Sequence, residues 1–341
     1  MTPWHMQRLA GSSGQRGDPP VTAEPVPEPA PNSAGTVYVP DPSAIPDEPP
    51  DEILYHHRAP MFGSAKTLWA NREIVLTLAE RDFRVQYKQA SLGIIWALLT
   101  PVATLLVLII VFSRVRSFHV AHVPFALYAF VGVLCWSFFA TSLGQGGTSL
   151  LSNKALLSKT QFPRECFPIE NMIVNALNTV LSWFPLAILF VWFGRAPKLA
   201  VVWVPLFMLI EVLFAAGLTL ATASLIIQFR DLNQLVPIII SLGIFLTPVI
   251  WPFTKIPSHF HLTHGHLVNG HLVGGITVNP QVIYGIVNPL GPVINSVRET
   301  MLLGQHPTWA PLIAAGISSV LYFVFGYKIF KRFEVDFADI A

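Results

Sequence analysis

Charge is scarce in this chain. Only 12% of its 341 residues are charged, about half the share in an ordinary soluble domain, while 52% are hydrophobic. That balance excludes a soluble globular protein and points to a polytopic membrane protein. Cysteine is nearly absent too. Cys135 and Cys166 are too few for a disulfide framework or a cysteine-rich metal site. Acidic residues are thin beyond residue 52, where only 11 remain, scattered singly apart from the Arg81-Asp82 pair and the terminal group. No two carboxylates stand at a spacing suited to acid–base work, which argues against a membrane-embedded glycosyl or phospholipid transferase. A phosphate-binding G-x-x-x-x-G-K-[ST] loop is also missing. The glycine-rich GQGGTS at Gly144–Ser149 has no lysine, so the chain cannot supply the main site of a nucleotide-driven machine.

The first residues differ from the rest. Residues 1–50 hold 12 of the 29 prolines, and residues 1–52 hold eight of the 19 acidic residues against Arg8 and Arg16 alone. Such a segment cannot bury enough apolar surface to offset its ordering entropy, so residues 1–55 read as a disordered, acidic, proline-rich cytoplasmic tail. No basic start leads into an apolar core with a small-residue cleavage site, and no signal peptide is expected. The remaining chain carries 19 basic residues against 11 acidic ones.

About 20 apolar residues are needed to cross a bilayer as a helix. Six stretches meet or approach this: Ile94–Phe112, Phe125–Leu143, Ile169–Phe193, Val201–Ile227, Leu235–Trp251 and Pro311–Phe330. The expected fold is therefore all-α, a six-span transmembrane domain over residues 93–330 with a cytoplasmic C-terminus at 331–341. Asn279–Leu303 is partly apolar but broken by Pro280, Pro289, Gly291 and Pro292, which suits a re-entrant or interfacial element before the last span. Lysine and arginine set orientation. With both termini inside, the inner side holds Arg81, Arg84, Lys88, Lys154, Lys159, Arg164, Arg230, Lys328, Lys331 and Arg332; the outer side holds Arg114, Arg116, Arg195, Lys198, Lys255 and Arg298.

Residues 56–92 form an interface segment. From Lys66 to Lys88, Leu68, Val75, Leu76, Ala79 and Phe83 fall on one helical stripe, with Glu73, Glu80, Arg84 and Lys88 elsewhere. This predicts an amphipathic helix lying in the inner membrane interface, its apolar face toward lipid and its basic residues near headgroups, with Ser91 and Gly93 turning the chain into the first span.

RDFRVQYKQASLGIIWALLTPV, beginning at Arg81, resembles the segment before the first span in permease subunits of type-2 ABC exporters that move lipid-linked polysaccharides such as O-antigen, teichoic acid and cell-wall galactan. Further similarities follow in the same order. They are NKALLSKTQFPRECFPI (Asn153–Ile169), FRDLNQLVPIIISLGIFLTPVIWP (Phe229–Pro252), NPLGPVINSVRE (Asn288–Glu299) and the terminal FEVDFADIA. The resemblance implies a homodimeric channel of two permease chains bound to two copies of a separate ABC ATPase, which would carry the ATP and magnesium; this chain would bind no cofactor. It implies ATPase contacts on the inner face by Lys154, Lys159, Arg164, Glu165, Arg230 and Asp231. It also implies export of a polyprenyl-diphosphate-linked glycan across the cytoplasmic (plasma) membrane, with no role for nucleic acid.

Such a substrate needs cations at its entrance and a weakly adhesive lining for sugars. Arg81, Arg84 and Lys88 are candidates for the diphosphate. Trp96, Trp136, Phe245 and Trp251 are candidates for the lining, since aromatic faces meet the apolar C–H faces of sugars; Phe138 and Phe139 lie beside Trp136. Glu211 lies near the middle of the fourth span, where a carboxyl group is either functional or paired, and a structural role fits best. SHFHLTHGHLVNGHLVGG (Ser258–Gly275) contains His259, His261, His264, His266 and His271 within an outer insertion over residues 253–281 where the chain departs from the family. Without cysteine or carboxylate nearby, these histidines make a poor metal site, and none is expected. An exporter of drugs or small lipids would share this fold and stands as the alternative.

Overall fold

In a computed structural model, residues 69–88, 93, 95–112, 123–154, 163–261, 266–268, 271–273 and 277–334 are described. The N-terminal tail, the start of the interface segment, Lys159, Arg114, Arg116, His264 and the terminal FEVDFADIA from Val335 on lie outside them.

The chain is a multi-pass helical membrane protein. Four helical stretches are long and apolar enough to cross a membrane: Phe125–Ser152, Cys166–Trp192, Leu199–Gln228 and Trp309–Phe333. Two shorter apolar helices, Ile95–Phe112 and Leu232–Leu246, correspond to the first and fifth expected spans. In chain order the α-helices are α1 (Arg72–Lys88), α2 (Ile95–Phe112), α3 (Phe125–Thr141), α4 (Gly147–Ser152), α5 (Cys166–Trp192), α6 (Val204–Gln228), α7 (Leu232–Leu246), α8 (Pro280–Val287), α9 (Leu290–Arg298) and α10 (Trp309–Phe333). A π-helical turn, Ser142–Gly146, joins α3 to α4, so the second expected span runs on to Ser152.

Helix α3 is the centre of the bundle. Its sequence is apolar all round, and it is buried all round, from Leu127 through Trp136. Helices α2, α5, α6 and α9 pack around it. The chain between Asn279 and Leu303 forms two short helices, α8 and α9, broken at Asn288–Pro289, and a π-helical turn at Glu299–Leu303. Asn279 caps α8 by accepting from the Gln281 and Val282 amides, and Pro280 occupies the first turn, where its missing N–H costs nothing. Every residue of α9 is buried. Helix α8 is less enclosed, with Ile283, Ile286 and Val287 exposed.

The amphipathic helix α1 begins at Arg72. Its stripe turns toward protein: Val75 and Ala79 are buried against α5, while Leu76 and Val85 are exposed. Tyr87 Oη donates to Asn178 Oδ1 of α5 at 2.7 Å. The histidine insertion departs from the all-α expectation. Phe260–His261 (β1) pairs antiparallel with Thr277–Val278 (β4), and His266–Val268 (β2) with His271–Val273 (β3). The local signal was present, because Asn269-Gly270 between two HLV repeats is a strong hairpin cue.

Helices α6 and α10 make the most extensive helix contact. They cross at Gly217 and Gly326, where the backbones touch. A Cβ on Gly326 would lie 3.0 Å from Gly217 Cα and closer still to its carbonyl. Close approach of this kind replaces the hydrophobic drive that is lost between helices in lipid. Gly326→Val is therefore expected to force the pair apart at a cost of about 1–3 kcal/mol, the usual overpacking penalty. A lowered thermal midpoint of the purified chain in detergent checks this, with Gly316→Val as the control, because a Cβ there meets only side-chain atoms of Ile210, 3.7 Å or more away.

Candidate functional site

One end of the bundle gathers charged residues. Chain-distant elements meet there because Leu150 of α4, Phe167 of α5, Leu220 and Ala223 of α6 and Phe330 of α10 share one apolar cluster. Around that cluster lie Lys154, half-buried just beyond α4, and the exposed turn Arg230-Asp231 between α6 and α7. The turn is held by main-chain bonds from the Asn233 amide to Arg230 and from the Gln234 and Leu235 amides to Asp231.

Arg164 and Glu165 behave differently from those three. Arg164 donates to the main-chain oxygen of Glu334 at the end of α10. Glu165 points inward and is only 2% exposed. Its Oε1 pairs with Lys331 Nζ and accepts from Tyr327 Oη at 3.2 Å, and Lys331 also contacts Glu334 Oε2 at 2.6 Å. The expected set of partner contacts is thus split. Lys154, Arg230 and Asp231 are accessible, and Glu165 is engaged within the chain.

The three cations offered for a substrate entrance lie on α1. Arg81 Nε donates to Asp82 at 2.6 Å, and that bond raises its pKa. Arg84 pairs with Glu80 one turn earlier. Lys88, in the last turn, has no carboxylate partner among the described residues and is exposed.

The four aromatic candidates also separate. Trp96 on α2 and Phe245 on α7 are 47% and 62% exposed. Trp136 is buried on α3, its ring against Gly243 of α7, where any side chain would collide with it. Trp251 donates its indole N–H to the Phe245 carbonyl at 3.0 Å and so caps the end of α7. Helix α7 buries only Val236 within the chain; Leu235, Ile238, Ile239, Leu242, Phe245 and Leu246 are exposed. Helix α2 likewise exposes Leu99, Leu106, Val107 and Ile110. Faces this apolar need lipid or another chain over them.

Glu211 lies fully buried on α6 beside Cys135 of α3, and neither carboxyl oxygen has a hydrogen-bond partner among the described residues. Of the histidine candidates, His259 is exposed, and His261 and His266 lie in β1 and β2. No group of three His, Cys, Asp or Glu gathers among the described residues to hold a metal ion.

Arg298 escaped the sequence reading, which counted it only as an outer charge. It is fully buried at the end of α9. Its Nε donates to the Tyr128 carbonyl at 3.0 Å, its Nη1 to the Pro248 carbonyl at 2.7 Å and its Nη2 to the Val249 carbonyl. The guanidinium lies 3.7 Å over the Tyr128 ring, and Gly132 leaves it the space. A usable cue was the pairing of a lone arginine in NPLGPVINSVRE with the proline-rich exit TPVIWP: one supplies five donors, the other bare carbonyls.

The profile of the family described as ABC-2 type transporter matches residues 73–269. An O-antigen export system permease protein, RfbA, of Myxococcus xanthus is 27% identical over 279 residues, covering 82% of this chain and 99% of that protein. A Klebsiella pneumoniae protein of the same name is 26% identical, covering 79% of this chain and 95% of its own length. The polysialic acid transport protein KpsM of Escherichia coli is 22% identical over 53% of this chain and 70% of its own.

Replacing Arg298 by Met keeps bulk but strands three carbonyls. Each charge-assisted bond is worth about 1.5–3 kcal/mol, so Arg298→Met is expected to lower stability by at least that amount. Arg298→Lys, whose three donors radiate from one nitrogen and cannot span three separated carbonyls, should rescue only part. Thermal unfolding of both variants in detergent measures the difference.

Proposed function

Because the chain belongs to the ABC-2 type transporter family, we propose that it is the membrane-spanning subunit of an ATP-driven exporter of a polyprenyl-diphosphate-linked polysaccharide. The observation that carries this is the extent of the likeness. The relatives named as O-antigen export permeases match over 95–99% of their own length and about four-fifths of this chain. The polysialic acid transporter extends the likeness to a second exported polysaccharide.

In this reading α2 and α7 cross the membrane with the four longer helices, giving six spans. Helix α7 rises about 22 Å over its 15 residues, short of the roughly 30 Å hydrocarbon core, and the segment Thr247–Trp251 completes the passage. Both termini face the cytoplasm. Taking the buried Arg298 out of the headgroup count strengthens the positive-inside balance, which then sets Arg81, Arg84, Lys88, Lys154, Arg164, Arg230, Lys328, Lys331 and Arg332 against Arg195, Lys198 and Lys255 among the described residues.

The exposed faces of α2 and α7 meet a second copy of the chain, and Trp96 and Phe245 on those faces line the route for sugars. Trp136 and Trp251 hold α7 in place behind them. A separate ATPase, with its ATP and magnesium, rests on Lys154 and the Arg230-Asp231 turn, and with α1 on the same inner face. Lys88 is the cation of α1 best placed for a diphosphate headgroup, since Arg81 and Arg84 already hold carboxylates.

The test is copurification with the ABC ATPase encoded nearby, followed by ATP hydrolysis in liposomes with and without polyprenyl-linked glycan. A stable complex with glycan-stimulated hydrolysis is expected. Stimulation by small amphiphiles alone would move the assignment to a drug or small-lipid exporter, and absence of any complex would sink the exporter reading. Within a working complex, Trp96→Ala combined with Phe245→Ala should cut glycan flux severalfold at unchanged protein level; unaltered flux removes both residues from the route.

A further inference from the structure

The inner loop before α5 is clamped to the end of the last helix by two successive residues. Arg164 donates to the Glu334 carbonyl, and Glu165 pairs with Lys331 while accepting from Tyr327. The partners are more than 160 residues apart in the chain. A buried ion pair is a poor way to gain stability, because desolvation cancels most of its attraction, but it does specify one register between two elements.

The register continues along α10. Phe330 is fully buried, Gly326 touches the Gly217 backbone, Tyr322 Oη donates to the Val287 carbonyl at 3.1 Å and Ser318 Oγ to the Gly285 carbonyl at 3.1 Å. Positions 318, 322, 326 and 330 form one i, i+4 row, so a single face of α10 makes all these contacts. No proline interrupts the helix between Pro311 and Phe333. From Ser318 to Lys331 it rises about 20 Å. One end of this stretch holds the loop that the exporter reading places beside the ATPase, through Tyr327 and Lys331 one position beyond the row and through Phe330, which shares an apolar cluster with Phe167. The other holds α8, half of the broken helical element, whose Val287 and Gly285 carbonyls are the acceptors.

We propose that Glu165 and Lys331 are positioning residues that tie the inner loop to α10, and that α10 carries displacement of that loop to the broken helices α8–α9. Glu165 therefore acts inside the permease rather than on the ATPase surface. The inference rests on the exporter reading for the source of the displacement; the mechanical link itself belongs to this chain alone.

Two measurements test it. The first needs no ATPase: hydrogen exchange of the full chain in nanodiscs, wild type against Glu165→Gln. The expected result is exchange faster by about 2- to 30-fold in both 327–334 and 280–303, with α3 unchanged, the range found when one member of a coupled network is altered. Acceleration confined to 327–334 overturns the link to α8–α9. The second uses the complex in liposomes and reads glycan moved per ATP hydrolysed. Glu165→Gln should retain ATPase binding and basal hydrolysis but lower that ratio severalfold, and the exchanged pair Glu165→Lys with Lys331→Glu should restore part of it. Loss of ATPase binding that the exchanged pair does not restore would place Glu165 on the partner surface and overturn the proposal. Tyr327→Phe removes only the hydroxyl bonded to Glu165 and covers the case in which Glu165→Gln does not fold. A smaller rise in exchange over the same two segments is expected of it, and exchange unchanged in 280–303 overturns the link. Wild-type hydrolysis without glycan stimulation would count against the exporter reading, while the exchange result would still decide the link.

Discussion

Among the described residues, Arg298 has no carboxylate partner. It aims its donors at three main-chain carbonyls, and this arrangement makes the broken half of the bundle possible. Helix α7 ends at Leu246, and the chain then turns through Thr247–Val249, where the Pro248 and Val249 carbonyl oxygens have no helical partner. Bare carbonyls at membrane depth cost several kcal/mol each unless something donates to them. A guanidinium suits the task because it presents five N–H groups in a fixed fork and has no acceptor to satisfy in return. By reaching Tyr128 as well, Arg298 joins the central helix, the exit of α7 and the end of α9 at one point. Gly132 has to be a glycine for the arginine to fit.

With that junction in place, the remaining packing falls into two regimes. The interior half, α3, α5, α6, α9 and α10, is held by close contact and small residues, as at Gly217 and Gly326. Helix α2 packs one side on α3 and α5, α7 buries only Val236, and both present apolar faces outward. Exporter chemistry fits this division. Trp136 against Gly243 seats α7 on the central helix, while the far faces of α2 and α7 stay uncovered within the chain.

Charge follows a similar logic. Arg230 and Asp231 are exposed and Lys154 is half-buried, whereas the charges with chain-distant partners, Glu165 and Lys331, set how the loop before α5 sits on α10. Surface pairs such as Arg84 with Glu80 contribute little on their own, because water and salt screen them. A buried pair acts through its register, so its effect is felt where the helix leads rather than where the pair sits.

The amino-acid sequence by itself determined the class of molecule. Low charge and long apolar runs define a helical membrane protein. Pro280, Pro289 and Pro292 foretell broken helices before the last span, and the segments around Arg81, Asn153, Phe229 and Asn288 carry the family likeness. Periodicity also placed the apolar stripe of α1. Tertiary structure decided which way each side chain faces. The stripe of α1 packs partly on α5, Trp136 is buried where Trp96 and Phe245 are exposed, Glu165 turns inward to Lys331, and Arg298 serves carbonyls instead of headgroups. The reason is physical. Hydropathy and periodicity are local, within about two turns of helix, whereas these side chains find partners 50 to 170 residues away, and only the packed bundle brings such partners within reach.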